Sequence, residues 1–259
     1  MALTLKRIDA GPLRIEALYS RGSRYDTPRQ RAEKRKASSE AQRRLNKMMS
    51  WQELELMLAV NFPTPGSAEV VTLTFDDAHM PKDRKEAQRR CKYFRKKLAA
   101  AYADAGLPAP VIFWAPEVLT AASGRWHFHL VISSTGRDVE LIRSCWIYGS
   151  DVEAEALRVD DQKNHETLAR YLTKELRDCQ EYEARPGLHG WSCTRNAKRP
   201  ETETLTVPDD YQLAPPEGSK VLVDEIRRTE WACWHVLKYR YDVQRDRSAR
   251  ARRRRKPRP

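Results

Sequence analysis

Between Val111 and Ile132 the chain runs apolar, breaks, and runs apolar again: VIFWAPEVL, the loop TAASG, then GRWHFHLVI. Short apolar runs rich in β-branched and aromatic residues read as buried strands, and the short loop makes the two an antiparallel hairpin. Upstream, Glu69–Phe75 (EVVTLTF) has the same character and is closed by Asp76 and Asp77. Pro81 then opens a long helical pattern that Gly106 stops, the expected asymmetry of helix ends. Downstream, Asp138–Trp146 reads as a short helix, and Asp151–Leu157 is ambiguous between strand and irregular chain. Glu166–Cys179 is an amphipathic helix with Leu168, Leu172 and Leu176 on one stripe. Residues 29–62 also carry a helical pattern. Leu45, Met48, Met49 and Leu56 form its stripe, and Leu54, Met57 and Leu58 widen it. The residues before this helix read as irregular. After Pro200 the pattern weakens: Val221–Arg228 reads as helix and Trp231–Tyr241 as strand, while GWSCT is a short piece able to join the sheet. A tight hairpin among alternating strands and helices predicts an α+β fold, a central antiparallel sheet with flanking helices. The expected divisions are a basic, largely helical extension at 1–66, a central domain at 67–200, a helix/strand extension at 201–242, and a basic tail at 243–259.

Composition adds a partner. The 259 residues include 40% hydrophobic ones, enough for a core, but 32% are charged, the mean hydropathy is −0.77 and the net charge is +12. An anionic partner follows, nucleic acid first. The tail from Arg245 to Arg258 holds nine Lys/Arg and one Asp, leaving +4 for the rest. Such a segment is expected to be disordered and to add salt-sensitive affinity for DNA. The basic helix at 29–62 fits equally a solvated helix packed on the domain or a DNA-contacting arm. The five cysteines show no CxxC spacing, which argues against a zinc ribbon or disulfide framework and for a reducing cytoplasm. No apolar run approaches the ~20 residues that span a bilayer, and the N-terminus has no signal-peptide pattern. No membrane partner and a cytoplasmic location are expected.

The chemistry begins at His127 and His129. On a strand, side chains two residues apart leave from one face, so both imidazoles converge and form half of a metal site. A pair of histidines satisfied by neighbours is the structural alternative. Glu117 lies on the hairpin partner and is the candidate third ligand; a solvent-facing strand end is its alternative. Two imidazoles and a carboxylate suit Mg²⁺ or Mn²⁺ with substrate phosphate oxygens, or zinc. In ARYLTKE, Tyr171 and Lys174 are three apart and share a helix face. A phenol, normally titrating near ~10, becomes a competent nucleophile beside an ammonium or a cation that draws charge from the electrophile. A tyrosine at the core edge with a solvated lysine is the alternative for any single YxxK.

The ordered set VVTLTF, GRWHFHLVI and ARYLTKE resembles the three motifs of HUH endonucleases, the rolling-circle replication initiators. The flanking pieces NF, WIYG and WSCTRNAKRP are similar to a phage and mobile-element branch of bacterial replication-associated proteins. The resemblance spans roughly residues 45–200. It implies a divalent metal, Mg²⁺ or Mn²⁺, on His127, His129 and Glu117. It implies attack by Tyr171 on single-stranded, hairpin origin DNA, a 5′-phosphotyrosine link and a free 3′-hydroxyl, with Lys174 orienting the phosphate. Family members with YxxKY carry a second tyrosine; Glu175 stands there in this chain, so a single-tyrosine enzyme is expected. No Walker A motif occurs, so a host helicase and polymerase are the expected partners. Arg125, Arg170, Arg195, Lys198 and Arg199 are candidate DNA contacts, with Trp191 stacking on an unpaired base. His79, His165, His189 and His235 lack a same-face partner and are taken as surface or core residues. A non-catalytic basic replication or repression factor, and a transposase of the same chemistry, are the competing readings.

Overall fold

The Val/Leu/Phe alternation of the central strands decides which face of the sheet each helix covers. The computed structural model describes residues 3–20, 40–118, 125–173, 190–228 and 233–241. Their order is β1 (Leu3–Ala10), β2 (Leu13–Ser20), α1 (Glu40–Asn61), β3 (Ala68–Thr74), α2 (Arg84–Asp104), β4 (Ile112–Val118), β5 (Trp126–Ser133), α3 (Asp138–Cys145), β6 (Val152–Ala156), α4 (Glu166–Leu172), β7 (Ser192–Cys193), β8 (Glu201–Val207), β9 (Lys220–Arg228) and β10 (Cys233–Arg240). The fold is α+β. Two compact units divide the chain, one of residues 35–197 and one of residues 1–34 with 198–259.

The 35–197 unit is built on an antiparallel sheet in the order β6-β3-β5-β4-β7. One face packs Val71, Leu73, Phe128, Leu130 and Ile132 against Ala87, Cys91, Phe94 and Leu98 of α2 and Ile142 of α3. The other face packs Ala68, Phe113, Ala115 and Val131 against Leu54, Met57 and Leu58 of α1 and Ala169 and Leu172 of α4. A sheet buried on both faces by helices is the expected solution for such strands. α2 starts at an Asp83 cap rather than at Pro81: the Asp83 carboxylate accepts from the Glu86 N–H at 2.7 Å, and Glu86 accepts from the Lys82 N–H at 3.1 Å. The hairpin, the Asp138 helix, β6 and the GWSCT strand all form where expected. The helix opening at Glu166 is described to Leu172, and residues 174–189 lie outside the described residues.

Three expectations change. Leu45, Met48 and Met49 do not form the buried stripe of α1; they are exposed, and the buried residues are Leu54, Leu56, Met57 and Leu58 one to two turns later. The pattern was compatible with both, and contact with the sheet decided it. Residues 3–20 are not irregular. They form the β1–β2 hairpin, turned at Gly11 with φ 64°, a left-handed value glycine adopts without strain. Val221–Arg228 is strand β9, not helix. These segments and the overlooked β8 make one antiparallel sheet, β8-β1-β2-β10-β9. Leu5, Leu18, Leu213, Leu237 and Tyr239 form its core. The 1–66 and 201–242 extensions therefore contribute strands to one unit. Charged side chains masked its strand period: Arg7 pairs with Glu16 at 2.6 Å, and Arg14 pairs with Asp9 while lying over the Tyr241 ring. Residues 243–259 lie outside the described residues. Among the described residues no helix is long and apolar enough to cross a membrane.

WIYG braces the end of β3. The Trp146 indole N–H donates to the Thr74 carbonyl at 3.1 Å, and the Asp76 N–H donates to the Tyr148 carbonyl at 2.9 Å. A Cβ on Gly149 would sit 2.2 Å from that Thr74 oxygen. Gly149→Ala is therefore expected to cost about 1–3 kcal/mol of overpacking, read as a lower denaturation midpoint at unchanged slope.

Behind the sheet, Asp138 is buried. Burial opposes its ionisation, but hydrogen bonds from the Tyr102 hydroxyl and from Thr135 and Gly136 outweigh that and lower its pKa. Glu69 is raised, first by burial and then by the Asp138 charge. A carboxyl raised in the folded state contributes stability below its unfolded pKa and loses it as pH rises. Glu69→Gln should thus melt higher than the parent at neutral pH. The gain should vanish as pH falls through the carboxylate range; an equal gain at both pH values would contradict this.

Candidate active site

The register of three strands builds the site. In the antiparallel β4–β5 and β3–β5 pairs, Glu117 faces His127, which faces Thr74; one step along, Ala115 faces His129, which faces Thr72. Cross-strand partners share a face, so both imidazoles and both hydroxyls lie on the α1/α4 side. The Thr74 hydroxyl meets His127 Nδ1 at 2.9 Å, and the Thr72 hydroxyl meets His129 Nδ1 at 3.2 Å. Each ring is thereby fixed by its Nδ1 edge and presents Nε2 outward. His129 Nε2 contacts the Glu117 carboxylate, with both residues buried. His127 Nε2 is buried with no hydrogen-bond partner. Burial, then the neighbouring His129, lowers the His127 pKa; Glu117 and Asp151 pull the other way. The neutral ring that results has a lone pair to offer.

α4 brings the phenol. Its Ala169 and Leu172 are buried in the α1 cluster. His165, just before it, bonds the Phe62 carbonyl at 2.9 Å, and the Thr173 hydroxyl closes its end on the Ala169 carbonyl at 2.8 Å. Tyr171, between the two buried positions, sets its ring edge-on to His129, centroids 5.3 Å apart at 68°, and stays 44% exposed. A nucleophile must touch both the site and its substrate, and that exposure permits it.

The remaining candidates scatter. Arg125 pairs with Asp77 at 2.7 Å. Arg170 pairs with Glu166 at 2.8 Å and lies 4.0 Å over the Trp51 ring, clamping α4 to α1. Trp191 is partly buried: its indole N–H donates to the Ser50 carbonyl at 3.2 Å and its ring packs on Phe113. That is a packing role rather than an offered stacking face. Arg195 is exposed in the turn after β7; Lys198 and Arg199 are exposed in the other unit. Lys174 lies outside the described residues. His79 pairs with Asp76 at 2.7 Å, and His235 with Asp224 at 2.7 Å. Sequence reasoning missed Thr72 and Thr74, whose i, i+2 spacing in EVVTLTF mirrors that of the histidines. It also missed Asp151, whose carbonyl accepts from the Thr74 N–H at 3.2 Å and whose charge acts on His127.

Among the described residues no three His, Cys, Asp or Glu side chains are arranged to hold a cation together, since Glu117 turns onto His129. The donor chemistry nonetheless fits a divalent ion: two imidazoles fixed at Nδ1, one with an orphaned Nε2, and a carboxylate alongside.

Residues 68–177 match the family model of the ORF2-type replication-associated proteins. The matched stretch starts at β3, carries both histidines and extends past Tyr171. It supports the role of a replication initiator. No curated protein and no solved structure matches the chain.

The hydroxyls are testable apart from any reaction. Thr74→Val should leave His127 Nδ1 unpaired, costing about 1 kcal/mol, and should shift the His127 tautomer balance seen by ¹⁵N NMR. Thr74→Ser should restore both; an unmoved imidazole spectrum in the valine variant would show that the hydroxyl does not orient the ring.

Proposed function

We propose that this chain nicks single-stranded origin DNA by transfer of a phosphodiester to Tyr171, initiating rolling-circle replication of a phage, plasmid or integrated element. The observation that carries this reading is the edge contact of the Tyr171 ring with His129, which joins phenol, imidazoles and Glu117 in one cleft. The Tyr171 oxygen attacks phosphorus, the bond to the 3′ oxygen breaks, and that oxygen leaves with a proton as a 3′-hydroxyl. One phosphodiester replaces another, so the strand can later be resealed. Such a transfer needs positioning and charge neutralisation more than covalent help from the protein. His127, His129 and Glu117 would hold a divalent ion, Mg²⁺ or Mn²⁺, which when bound supplies positive charge to the scissile phosphate. The threonine hydroxyls hold the rings for that task. A hydroxyl can donate to Nδ1 or accept from it, so it serves His129 both against Glu117 and with a bare Nε2. Packing of Ala169 and Leu172 limits how far Tyr171 can stray. Arg125 and Arg195, both reached by solvent, are the DNA contacts retained in this reading, with Lys174 as the phosphate-orienting lysine. Host helicase and polymerase would complete the cycle.

Incubation with single-stranded origin DNA and Mn²⁺, followed by a denaturing gel, decides the matter. A DNA-shifted protein band is expected from the parent and none from Tyr171→Phe, with DNA binding retained. Tight binding by the parent without an adduct at any divalent metal would instead make this a non-catalytic DNA-binding factor.

A further inference from the structure

α2 carries eight Lys/Arg between Arg84 and Lys97 against one acidic residue in that span, Glu86. Not all of them face solvent. Arg84 is buried, Arg90 is held by Glu86 at 2.8 Å, and Arg95 lies 3.5 Å over the Trp114 ring. Lys85, Arg89, Lys92 and Lys96 are all exposed, and Arg89 remains 77% exposed despite a 3.4 Å approach to Glu86. Their spacing of four, three and four residues makes one straight stripe, about 16 Å long at ~1.5 Å per residue. Lys82 and Lys97 extend it at either end. This helix packs on the face of the sheet opposite the histidines, so the stripe is outside the cleft. On the histidine face, by contrast, the β6 edge bears exposed Asp151, Glu153 and Glu155 in register beside Thr74, Thr72 and Val70. That edge repels a polyanion.

We infer that the outer face of α2 is a second DNA-holding surface, which binds the sugar–phosphate backbone through Lys85, Arg89, Lys92 and Lys96. A row of cations with no apolar groove or hydrogen-bonding pocket recognises charge spacing and not base sequence. Nucleic acid held there leaves the cleft open. The inference shares with the proposed function the premise that this chain acts on DNA, but not the chemistry of Tyr171.

The test uses the full chain with Lys85, Arg89, Lys92 and Lys96 all changed to alanine, a residue that favours helix; a circular-dichroism melt checks the fold. Affinity for a duplex and for a single strand, both without origin sequence, is measured from about 50 to 200 mM salt. The Arg-rich tail contributes equally to both proteins, so the difference isolates α2. On duplex the slope of log K against log salt should flatten by about 0.9 per lost contact, and on a single strand by about 0.7. Whichever substrate shows the change is the form held there. A companion with Lys85, Lys92 and Lys96 changed to arginine should keep the parent slope. Adduct formation on a short origin oligonucleotide should be the same in parent and alanine variant, so failure of the Tyr171 chemistry would leave the salt measurement readable. Equal slopes for parent and alanine variant on both DNA forms would overturn the inference.

Discussion

The antiparallel register of β3 against β5 is the constraint on which the rest depends. It sets Thr72 and Thr74 opposite His129 and His127, and on the reverse face sets Leu73 opposite Phe128 and Val71 opposite Leu130. A slip of one residue would exchange the faces of every side chain. Leucine would then meet imidazole, and two hydroxyls would enter the apolar layer under α2. Burying an unpaired hydroxyl costs roughly 1–3 kcal/mol, so the core that rejects the slip also holds the site in place. Core and site are specified by the same alternation.

The second requirement is the position of α4. Seven residues, Glu166 to Leu172, are too few for a helix to persist by itself in water. Its existence and its place are tertiary. Ala169 and Leu172 anchor it in the α1 cluster, His165 ties its start to the Phe62 carbonyl, and the Arg170–Trp51 contact holds its outer side. α1 thus acts on the site without contributing a reacting group: it is the wall against which the tyrosine helix is set.

Much of this was legible in the sequence because apolar runs near Val111–Ile132 and Glu69–Phe75 can be buried in few other ways, and because the His127/His129 spacing has a fixed meaning on a strand. Pairing around a short loop made Glu117 a neighbour of the histidines, and it stands directly across from His127. What escaped notice has physical causes. Threonine at 72 and 74 is an ordinary strand former, so its second role appears only once the register is known. The β1–β2 hairpin carries Arg7, Asp9, Arg14 and Glu16 as cross-strand ion pairs, which hide a strand's period behind charge. Trp191 looked available for stacking because sequence cannot show that Phe113 and Ser50 already occupy its ring and its N–H. Leu45, Met48 and Met49 satisfied the helical period but stand exposed, because period alone does not say which turns meet the sheet.

The Glu117–His129 contact and the orphaned His127 Nε2 have to be understood together. An unpaired buried nitrogen costs on the order of 1–3 kcal/mol, and a carboxylate equal to satisfying one imidazole cannot satisfy both. Hydroxyls at both Nδ1 atoms hold the two rings with Nε2 directed into the same small space, although only one ring gains a protein partner there. A site shaped only for stability would have given His127 its own acceptor or replaced it with an apolar residue. The arrangement makes sense if the two Nε2 atoms and the carboxylate are matched to a shared positive charge. Occupation by a cation would then satisfy the orphaned nitrogen and Glu117 in the same event, while the threonines kept the ring positions unchanged.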